Sequence, residues 1–264
     1  MSIHAQYREF GGSGQKSCHI CPISVYLIPL RNSEVTSRKL VIAIDGPAAS
    51  GKSTTARLVA ARLGYLHVDT GAMYRAFALK VLRRNIAIGD RQGIESLVAG
   101  THVALALQGD VLRVFLDGED VSDAIRSPEV SRAVSPVSGY PEVRRAMVRE
   151  QRLLGAAGGI VMDGRDIGTV VYPDADVKFF MVAGIEARAR RRQEELTGTG
   201  TAIPLEAVVQ DIRERDARDA GRAESPLRRA DDAIDIDTSA LTIEEQVEIV
   251  LKAVSGILQE RRKR

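Results

Sequence analysis

From residue 40 onward, short apolar runs rich in β-branched residues alternate with longer segments in which apolar residues recur every three or four positions. The short runs predict strands, and the longer segments predict helices. The predicted strands cover residues 40–45, 65–69, 160–163, 177–182 and 233–237. Because strands separated by helices tend to pair in parallel, the pattern predicts an α/β fold with a five-stranded parallel sheet and helices on both faces. Function is then expected at the carboxyl ends of these strands.

The segment between the second and third predicted strands has a different character. Residues 103–107 and 111–116 are apolar-rich runs on either side of Gln108-Gly109-Asp110, which favours a β-hairpin. A small antiparallel sheet inserted into a parallel core suggests a separate lobe that could close over a substrate. A structural decoration and a dimer contact are the alternatives.

Residues 1–38 show no sustained period of two or about 3.6, and they include the run Gly11-Gly12-Ser13-Gly14. We expect this N-terminal extension to be disordered or partly ordered, and an overextended start of the reading frame is an alternative. Cys18 and Cys21 form a lone Cys-x-x-Cys motif without the further ligands of a zinc site or the βαβ context of a redox motif. Two free thiols are the favoured interpretation, and redox or zinc regulation is the alternative.

Composition narrows the class of protein. The 264 residues are 44% hydrophobic, and 37 basic side chains against 35 acidic ones leave a net charge of only +2. This balance argues against nonspecific nucleic-acid binding as the main activity. The apolar runs fall short of the roughly 20 residues of a membrane span, and residues 23–30 lack the shape of a secretory signal. We therefore expect a cytoplasmic enzyme without nucleic-acid or membrane partners.

The strongest chemical signal lies between the first predicted strand and the helix that follows it. Its residues are Gly46, Pro47, Ala48, Ala49, Ser50, Gly51, Lys52, Ser53 and Thr54. Glycines at both ends let the backbone amides curl around phosphate groups, while Lys52 can reach the β and γ phosphates and the Ser53 hydroxyl can ligate Mg²⁺. The segment therefore predicts a phosphate-binding loop that suits a polyphosphate. A strand-to-helix turn that binds nothing is the alternative.

Charged residues follow the third predicted strand. Asp163, Arg165 and Asp166 stand at its carboxyl end, next to Gly164 and Gly168. Carboxylates at this point can hold the water shell of Mg²⁺ or accept from an exocyclic amine, and an arginine can grip a phosphate. An internal ion pair in a glycine-rich turn is the alternative interpretation.

Two arginine-rich segments flank a Gly/Thr loop at residues 197–201. The first contains Arg188 and residues 190–192, and the second runs from Arg213 to Arg222. Basic arms around a flexible loop are typical of a lid, because phosphoryl transfer requires cations around the transferred group and exclusion of water. A solvated surface with salt bridges is the ordinary alternative for most of these arginines.

In order along the chain, four segments resemble those of the bacterial cytidylate kinases, a family of P-loop nucleoside monophosphate kinases. They are residues 45–54, 69–75, 163–173 and 214–222. The resemblance leaves out the N-terminal extension, 1–38, and implies a P-loop NTPase core with an inserted monophosphate-binding lobe and a short lid. The implied divisions are a domain at 39–264, its core at 39–96, 138–185 and 204–264, the insert at about 97–137 and the lid at about 186–203.

The resemblance implies transfer of the γ-phosphoryl group of ATP, bound with Mg²⁺, to CMP or dCMP, which gives ADP and the nucleoside diphosphate. The residues that would hold the acceptor phosphate are Arg75, Arg165 and Arg222. Those that would face the cytosine are Ser135, Arg144 and Asp166. Those that would meet the sugar hydroxyls are Arg215 and Asp219. Thr70 would complete the acceptor site, at a position where some relatives carry serine.

The catalytic residues that the resemblance implies are Lys52, Arg165, Arg188 and Arg191, the last two approaching the phosphates from the lid. The implied ligands of Mg²⁺ are Ser53 and, through water, Asp163. Catalysis would come from alignment of the two substrates and neutralisation of charge, without a covalent intermediate. Histidine is not required, and His67, which lies in a predicted strand, is expected to be packed rather than catalytic.

Two other classes of function stay open. A related kinase for another small acceptor, such as a different nucleoside monophosphate or shikimate, would share the phosphate loop and the lid. A nucleotide-dependent switch or binding module is the other class, although the sequence lacks the Asn-Lys-x-Asp element expected of a guanine-reading switch. We expect a monomer whose partners are the small molecules ATP and CMP or dCMP.

Overall fold

The computed structural model describes residues 23–27, 39–108, 111–198 and 203–262. The strands in these ranges are β1 (Ile23–Leu27), β2 (Val41–Asp45), β3 (Leu66–Asp69), β4 (Thr101–Gln108), β5 (Val111–Leu116), β6 (Glu119–Asp120), β7 (Ile160–Gly164), β8 (Val177–Val182) and β9 (Ile234–Asp237). The α-helices are α1 (Lys52–Leu63), α2 (Thr70–Arg83), α3 (Arg91–Val98), α4 (Pro128–Val137), α5 (Pro141–Leu154), α6 (Ile185–Gly198), α7 (Leu205–Ala220) and α8 (Ile243–Arg262). A 3₁₀-helix covers Ala124–Arg126, and a π-helix covers Ile167–Val171.

The central sheet has five strands in the order β3-β7-β2-β8-β9, and every neighbouring pair is parallel. β2 and β7 are buried along their whole length, as expected for apolar runs covered by helices on both faces. One face packs on a core that includes α2, α4 and α5, and the other face packs on α1 and α8. The predicted α/β fold and its five parallel strands are confirmed.

The register of the central sheet brings carboxylates to one edge. Asp163 of β7 pairs with Asp69 of β3 and with Ile44 of β2, while Asp45 pairs with Gly164. The carboxyl ends of the three strands therefore meet directly behind the start of α1 and α2. This edge is where the sequence predicted the site.

The predicted hairpin is also confirmed. β4 and β5 pair in antiparallel register, from Val103↔Leu116 to Gln108↔Val111, and β6 continues the sheet. Lys80 of α2 donates to the Gly100 carbonyl at 3.0 Å and pairs with Asp117 at 2.8 Å, which ties this sheet to the core.

β1 adds a parallel strand to the edge of β4, from Ile23↔Thr101 to Leu27↔Leu105. Five residues of the extension predicted over residues 1–38 therefore form a strand on the open edge of β4, which offers unpaired backbone N–H and C=O groups. The rest of that segment, including Cys18 and Cys21, lies outside the described residues.

α6 and α7 form an arm beside the site. Ala189 of α6 packs against Val208 and Ile212 of α7, and these three residues form a small core of their own. The arm carries both arginine-rich segments. The predicted Gly/Thr loop at 197–201 begins within α6, which includes Thr197 and Gly198, and residues 199–202 lie outside the described part of the chain. None of the described helices is both long and apolar enough to cross a bilayer.

Candidate active site

The loop between β2 and α1 depends on its two glycines for different reasons. A Cβ atom at Gly46 would collide with the carbonyl oxygen of Met181, at the end of β8. Gly51 has φ of 90°, in the left-handed region, immediately before α1 begins at Lys52. The loop can therefore pass close to β8 and turn its amides toward the N-terminus of α1, where backbone N–H groups and the helix dipole favour an anion.

Lys52, the first residue of α1, is buried behind this loop. Its side chain is only 7% exposed, and its Nζ donates to the Pro47 carbonyl at 3.0 Å. Burial, together with the neighbouring charges of Arg165 and Arg215, lowers the pKa of Lys52 to about 7. A polyphosphate held by the loop would stabilise the ammonium form and raise that pKa again.

Asp163 organises the start of α1. Ser53 Oγ donates to its Oδ2 at 2.5 Å, His67 Nε2 lies 2.8 Å from its Oδ1, and Thr70 Oγ1 donates to its main-chain carbonyl at 2.7 Å. Although burial alone would lower it, the pKa of His67 is raised by the hydrogen bond to Asp163. The hydroxyl and the carboxylate thus lie side by side below the phosphate loop.

These oxygen atoms suit Mg²⁺. Hard oxygen donors are what Mg²⁺ prefers, and it commonly binds through one or two protein groups, waters and substrate phosphates. Within the described ranges, no group of three or more His, Cys, Asp or Glu side chains could hold a metal ion without such help. The pair formed by Ser53 and Asp163 therefore fits a magnesium ion that arrives with a nucleotide.

A cavity of about 550 Å³ opens from the phosphate loop toward α4, α5 and α7. Its walls are rich in arginines, and they include Arg75, Arg126, Arg144, Arg165, Arg192, Arg215 and Arg222. Burial, with Arg165 as the next cause, lowers the pKa of Arg215 to about 10. This cluster of positively charged side chains favours an anionic ligand.

The same wall carries six carboxylates against eight basic side chains, so positive charge is in excess by two. Asp219 is shared, because Arg165 Nε donates to its Oδ2 at 2.9 Å and Arg222 Nη2 donates to its Oδ1 at 2.6 Å. Arg75 pairs with Asp69 at 2.8 Å. The Nε atoms of Arg75 and Arg215 are buried and have no hydrogen-bond acceptor among the described residues. Closure of the cavity around a phosphate would supply acceptors for these donors.

The far end of the cavity carries a buried ion pair. Arg144 is 2% exposed and donates to Asp166 Oδ2 at 2.6 Å and to the Ser138 carbonyl at 3.3 Å. Its guanidinium lies 5.2 Å from the centre of the Tyr74 ring. The ion pair and the aromatic ring give this end the flat, directional polar groups that can recognise a planar base.

Most residues predicted for the site meet around this cavity. Those that line it are Ala48, Ala49, Ser50, Gly51, Lys52, Ser53, Thr54, Thr70, Arg75, Arg144, Asp163, Arg165, Asp166, Arg215, Asp219 and Arg222. Gly46, Pro47 and Ser135 lie just behind it, and Ser135 Oγ donates to Asp219 Oδ1 at 3.4 Å. The donor and acceptor halves predicted from separate segments therefore share one space.

Arg188 and Arg191 are not part of the cavity wall in this structure. Arg188 Nη1 donates to Asp216 Oδ2 at 2.5 Å and to the Ala48 carbonyl at 3.3 Å. Arg191 Nη1 donates to Thr238 Oγ1 at 3.1 Å, and Thr238 in turn donates to the Ser50 carbonyl at 2.9 Å. Both arginines brace the back of the phosphate loop in this arrangement.

Sequence reasoning missed several residues of the wall. Arg192 lines the cavity in place of its neighbour Arg191, and Tyr74 and Asp69 line it as well, beside the predicted Arg75 in sequence and in an ion pair with it, respectively. The sequence carries a partial signal for Tyr74, because it stands next to the predicted Arg75 in α2, the helix that begins directly after β3. The rotation of α6 about its axis, which selects Arg192, has no local signature in a run of four arginines.

Comparison with known proteins gives one consistent result. A family model described as "Cytidylate kinase" matches residues 42–256. The chain is 53% identical over 213 residues to a cytidylate kinase of Caldanaerobacter subterraneus subsp. tengcongensis, with 81% of this chain and 93% of that protein covered. It is 51% identical to the cytidylate kinase of Pelotomaculum thermopropionicum, covering 81% and 96% of the two chains. Identity to that of Bacillus subtilis is 46%, with 82% and 97% covered.

Proposed function

The chain belongs to the cytidylate kinase family, and we propose that it transfers the γ-phosphoryl group of ATP to CMP or dCMP, with ADP and CDP or dCDP as products. The observation that carries the proposal is the single cavity in which the phosphate loop faces an arginine cluster and, beyond it, the buried Arg144–Asp166 pair. These three features match a polyphosphate donor, an acceptor phosphate and a cytosine in that order.

The donor half would hold ATP on the loop of residues 46–54. The backbone amides and Lys52 would meet the phosphates, while Ser53 directly and Asp163 through water would hold Mg²⁺. When bound, the ion neutralises the charge that develops on the β and γ phosphates. The low pKa of Lys52 in the free protein is consistent with a cation that is stabilised only when phosphate arrives.

The acceptor half would hold the monophosphate with Arg75, Arg165 and Arg222, and the sugar with Arg215 and Asp219. Arg165 and Arg222 already both contact Asp219, so neither arginine has to move far to bind a phosphate placed between them. An oxygen of the acceptor phosphate would attack the γ phosphorus, and the bond from that phosphorus to the β–γ bridging oxygen would break. The acceptor phosphate is already a nucleophile, so alignment and cations are sufficient.

Recognition of cytosine would fall to Asp166, Arg144 and Ser135. A carboxylate can only accept hydrogen bonds, and cytosine carries an exocyclic amine where uracil carries a carbonyl. The buried position of Asp166 makes an unpaired contact with uracil costly. We also propose that Arg188 and Arg191 act on the transferred group, which would require them to leave Asp216 and Thr238 when the arm closes.

The test is a coupled assay of ADP release with each nucleoside monophosphate and with no acceptor. We expect CMP and dCMP to give the highest kcat/KM and UMP to be poorer by at least about tenfold. Strong preference for UMP or AMP would assign the chain to a kinase with another acceptor. ADP release that does not depend on any acceptor would favour a nucleotide-dependent switch.

Lys52→Ala provides the internal control of that assay. The variant is expected to lose about two or more orders of magnitude in kcat, because a cation at the transferred group is removed, while the fold is retained. Lys252→Ala, on the exposed face of α8, is the matched variant and should behave as the unaltered protein. Normal turnover in Lys52→Ala would contradict the role of the loop.

The division into a monophosphate-binding insert at about 97–137 and a lid at about 186–203 is part of the same proposal. The monomeric state, the cytoplasmic location and the lack of nucleic-acid or membrane partners stay predictions from the sequence. A sedimentation measurement with and without both substrates tests the first of them.

A further inference from the structure

His67 makes a contact that packing in a strand does not require. It lies on β3, and its Nε2 is 2.8 Å from Oδ1 of Asp163 on the neighbouring strand β7. The Asp163 side chain is 2% exposed and that of His67 is 13% exposed, so water has little access to this oxygen.

The direction of this hydrogen bond follows from chemistry. A carboxylate oxygen accepts hydrogen bonds, so the imidazole donates to it from Nε2 of His67. Asp163 then accepts one hydrogen bond on each carboxylate oxygen, from His67 on Oδ1 and from Ser53 on Oδ2. Thr70 holds the main-chain carbonyl of the same residue. The plane of the carboxylate is therefore fixed from both sides.

We propose that His67 is a positioning residue that orients the Asp163 carboxylate toward Ser53 and thereby raises the affinity of the site for the magnesium–nucleotide complex. The inference rests on the proposed function, because it assigns a role in the Mg²⁺ site described there. Without the imidazole, Oδ1 would be a buried acceptor with one partner fewer, and the carboxylate could turn away from Ser53.

The contact with Asp163 depends on the residue at position 67 of β3. The alternation along β3 places His67 and Asp69 on the same side of the strand, toward the edge where Asp163 ends. An apolar residue at position 67 would satisfy the strand but would offer no donor to Asp163. A glutamine could reach with its amide N–H.

The experiment compares His67→Leu with His67→Gln. The dissociation constant of ADP is measured by calorimetry with Mg²⁺ and without it, and CMP binding is measured as a reference. For His67→Leu we expect the gain in ADP affinity on adding Mg²⁺ to fall about tenfold, with metal-free ADP binding and CMP binding unchanged. His67→Gln should recover most of that gain. If the leucine variant does not fold, His67→Met gives the same comparison.

A loss of ADP affinity that is equal with and without Mg²⁺, or no loss at all, would overturn the proposal and leave His67 as a packing residue. A second readout needs no metal: nitrogen NMR of the free protein should find the His67 proton on Nε2, and the Nδ1 tautomer would also overturn it. These outcomes are separate from the kinase assay. A protein with the expected Mg²⁺ effect but no activity toward CMP would remove the proposed function and keep the role of His67.

Discussion

Asp45 joins the two halves of the site through its two carboxylate oxygens. It immediately precedes the phosphate loop, and it accepts from the backbone N–H groups of Ile167 at 2.8 Å and Gly168 at 2.7 Å. Those two residues follow Arg165 and Asp166, which line the acceptor side. Burial raises the pKa of Asp45 to about 7, even though the two hydrogen bonds act in the opposite direction.

This raised pKa predicts a particular dependence of stability on pH. The unfolded carboxyl titrates near 3.8 and the folded one near 7, so between these values the folded protein keeps a proton that the unfolded chain has released. The contribution of Asp45 to the free energy of unfolding must therefore fall as pH rises through this window and become flat above it. Asp45→Asn removes the titration.

Urea unfolding from about pH 5 to about pH 8 tests this prediction. The unfolding free energy of the unaltered protein minus that of Asp45→Asn should fall as pH rises. Asp174→Asn, which alters an exposed carboxylate, is the matched control for the loss of one acidic side chain. A difference for Asp45→Asn that does not change with pH would mean that the pKa of Asp45 in the folded protein is ordinary.

Asp166→Asn tests the reading of the base. An amide can either accept or donate, so the variant should discriminate less between the amine of cytosine and the carbonyl of uracil. We expect kcat/KM for CMP to fall about a hundredfold and the ratio of CMP to UMP activity to fall with it. Asp174→Asn should leave both unchanged. An equal loss with CMP and UMP would indicate that Asp166 only supports Arg144.

At the residue scale, the sequence predicted the groups whose chemistry is local. Lys52 and Ser53 follow from the spacing of the glycines, and Asp163 follows from the end of a strand. The partners of these residues could not be predicted in the same way. The hydrogen bond between His67 and Asp163 depends on the pairing of β3 with β7, which lie more than 90 residues apart in sequence. The sequence alone does not give the register of that pairing.

At the scale of single elements, α8 offers a direct test of a helix start. A capping box stands at its N-terminus: the backbone N–H of Thr242 donates to Glu245 Oε2 at 2.8 Å, and that of Glu245 donates to Thr242 Oγ1 at 3.3 Å. Thr242→Ala should lower the free energy of unfolding by about 1 kcal/mol, because a backbone donor at the helix start loses its partner.

Thermal and urea unfolding measure this change, and the kcat/KM for CMP should stay the same. Thr197→Ala is the matched control, because Thr197 Oγ1 donates only to the Gln193 carbonyl of its own helix. If the two variants lose the same stability, the capping contact contributes nothing measurable to α8.

The elements that the sequence could predict are those with a repeating pattern. The central strands β2 and β7 are buried along their whole length because helices cover both faces of the sheet, and the hairpin has a turn between two apolar runs. The π-helix at Ile167–Val171 has no such pattern. Its first N–H groups turn toward Asp45, a residue on a different strand, and this contact exists only after the sheet has formed. β1 likewise depends on a distant edge, that of β4.

At the scale of the whole molecule, the cavity and both faces of the central sheet are built from residues 39 onward. β1 pairs with β4 and also contacts α5, and among the described residues none of β1 or β4 lines the cavity. The family model matches from residue 42, and the relatives align over 93% or more of their own length. The match to the family model therefore does not include the first 38 residues.

We expect a chain that starts at Lys39 to keep kcat/KM for CMP within about threefold, since no residue before it lines the cavity among those described. Hydrogen exchange should quicken at the edge of β4, because removal of β1 exposes its backbone groups. A loss of activity greater than about tenfold would place the extension in the catalytic unit. Metal analysis of both chains tests whether Cys18 and Cys21 bind zinc. Zinc found only in the longer chain would indicate that they do.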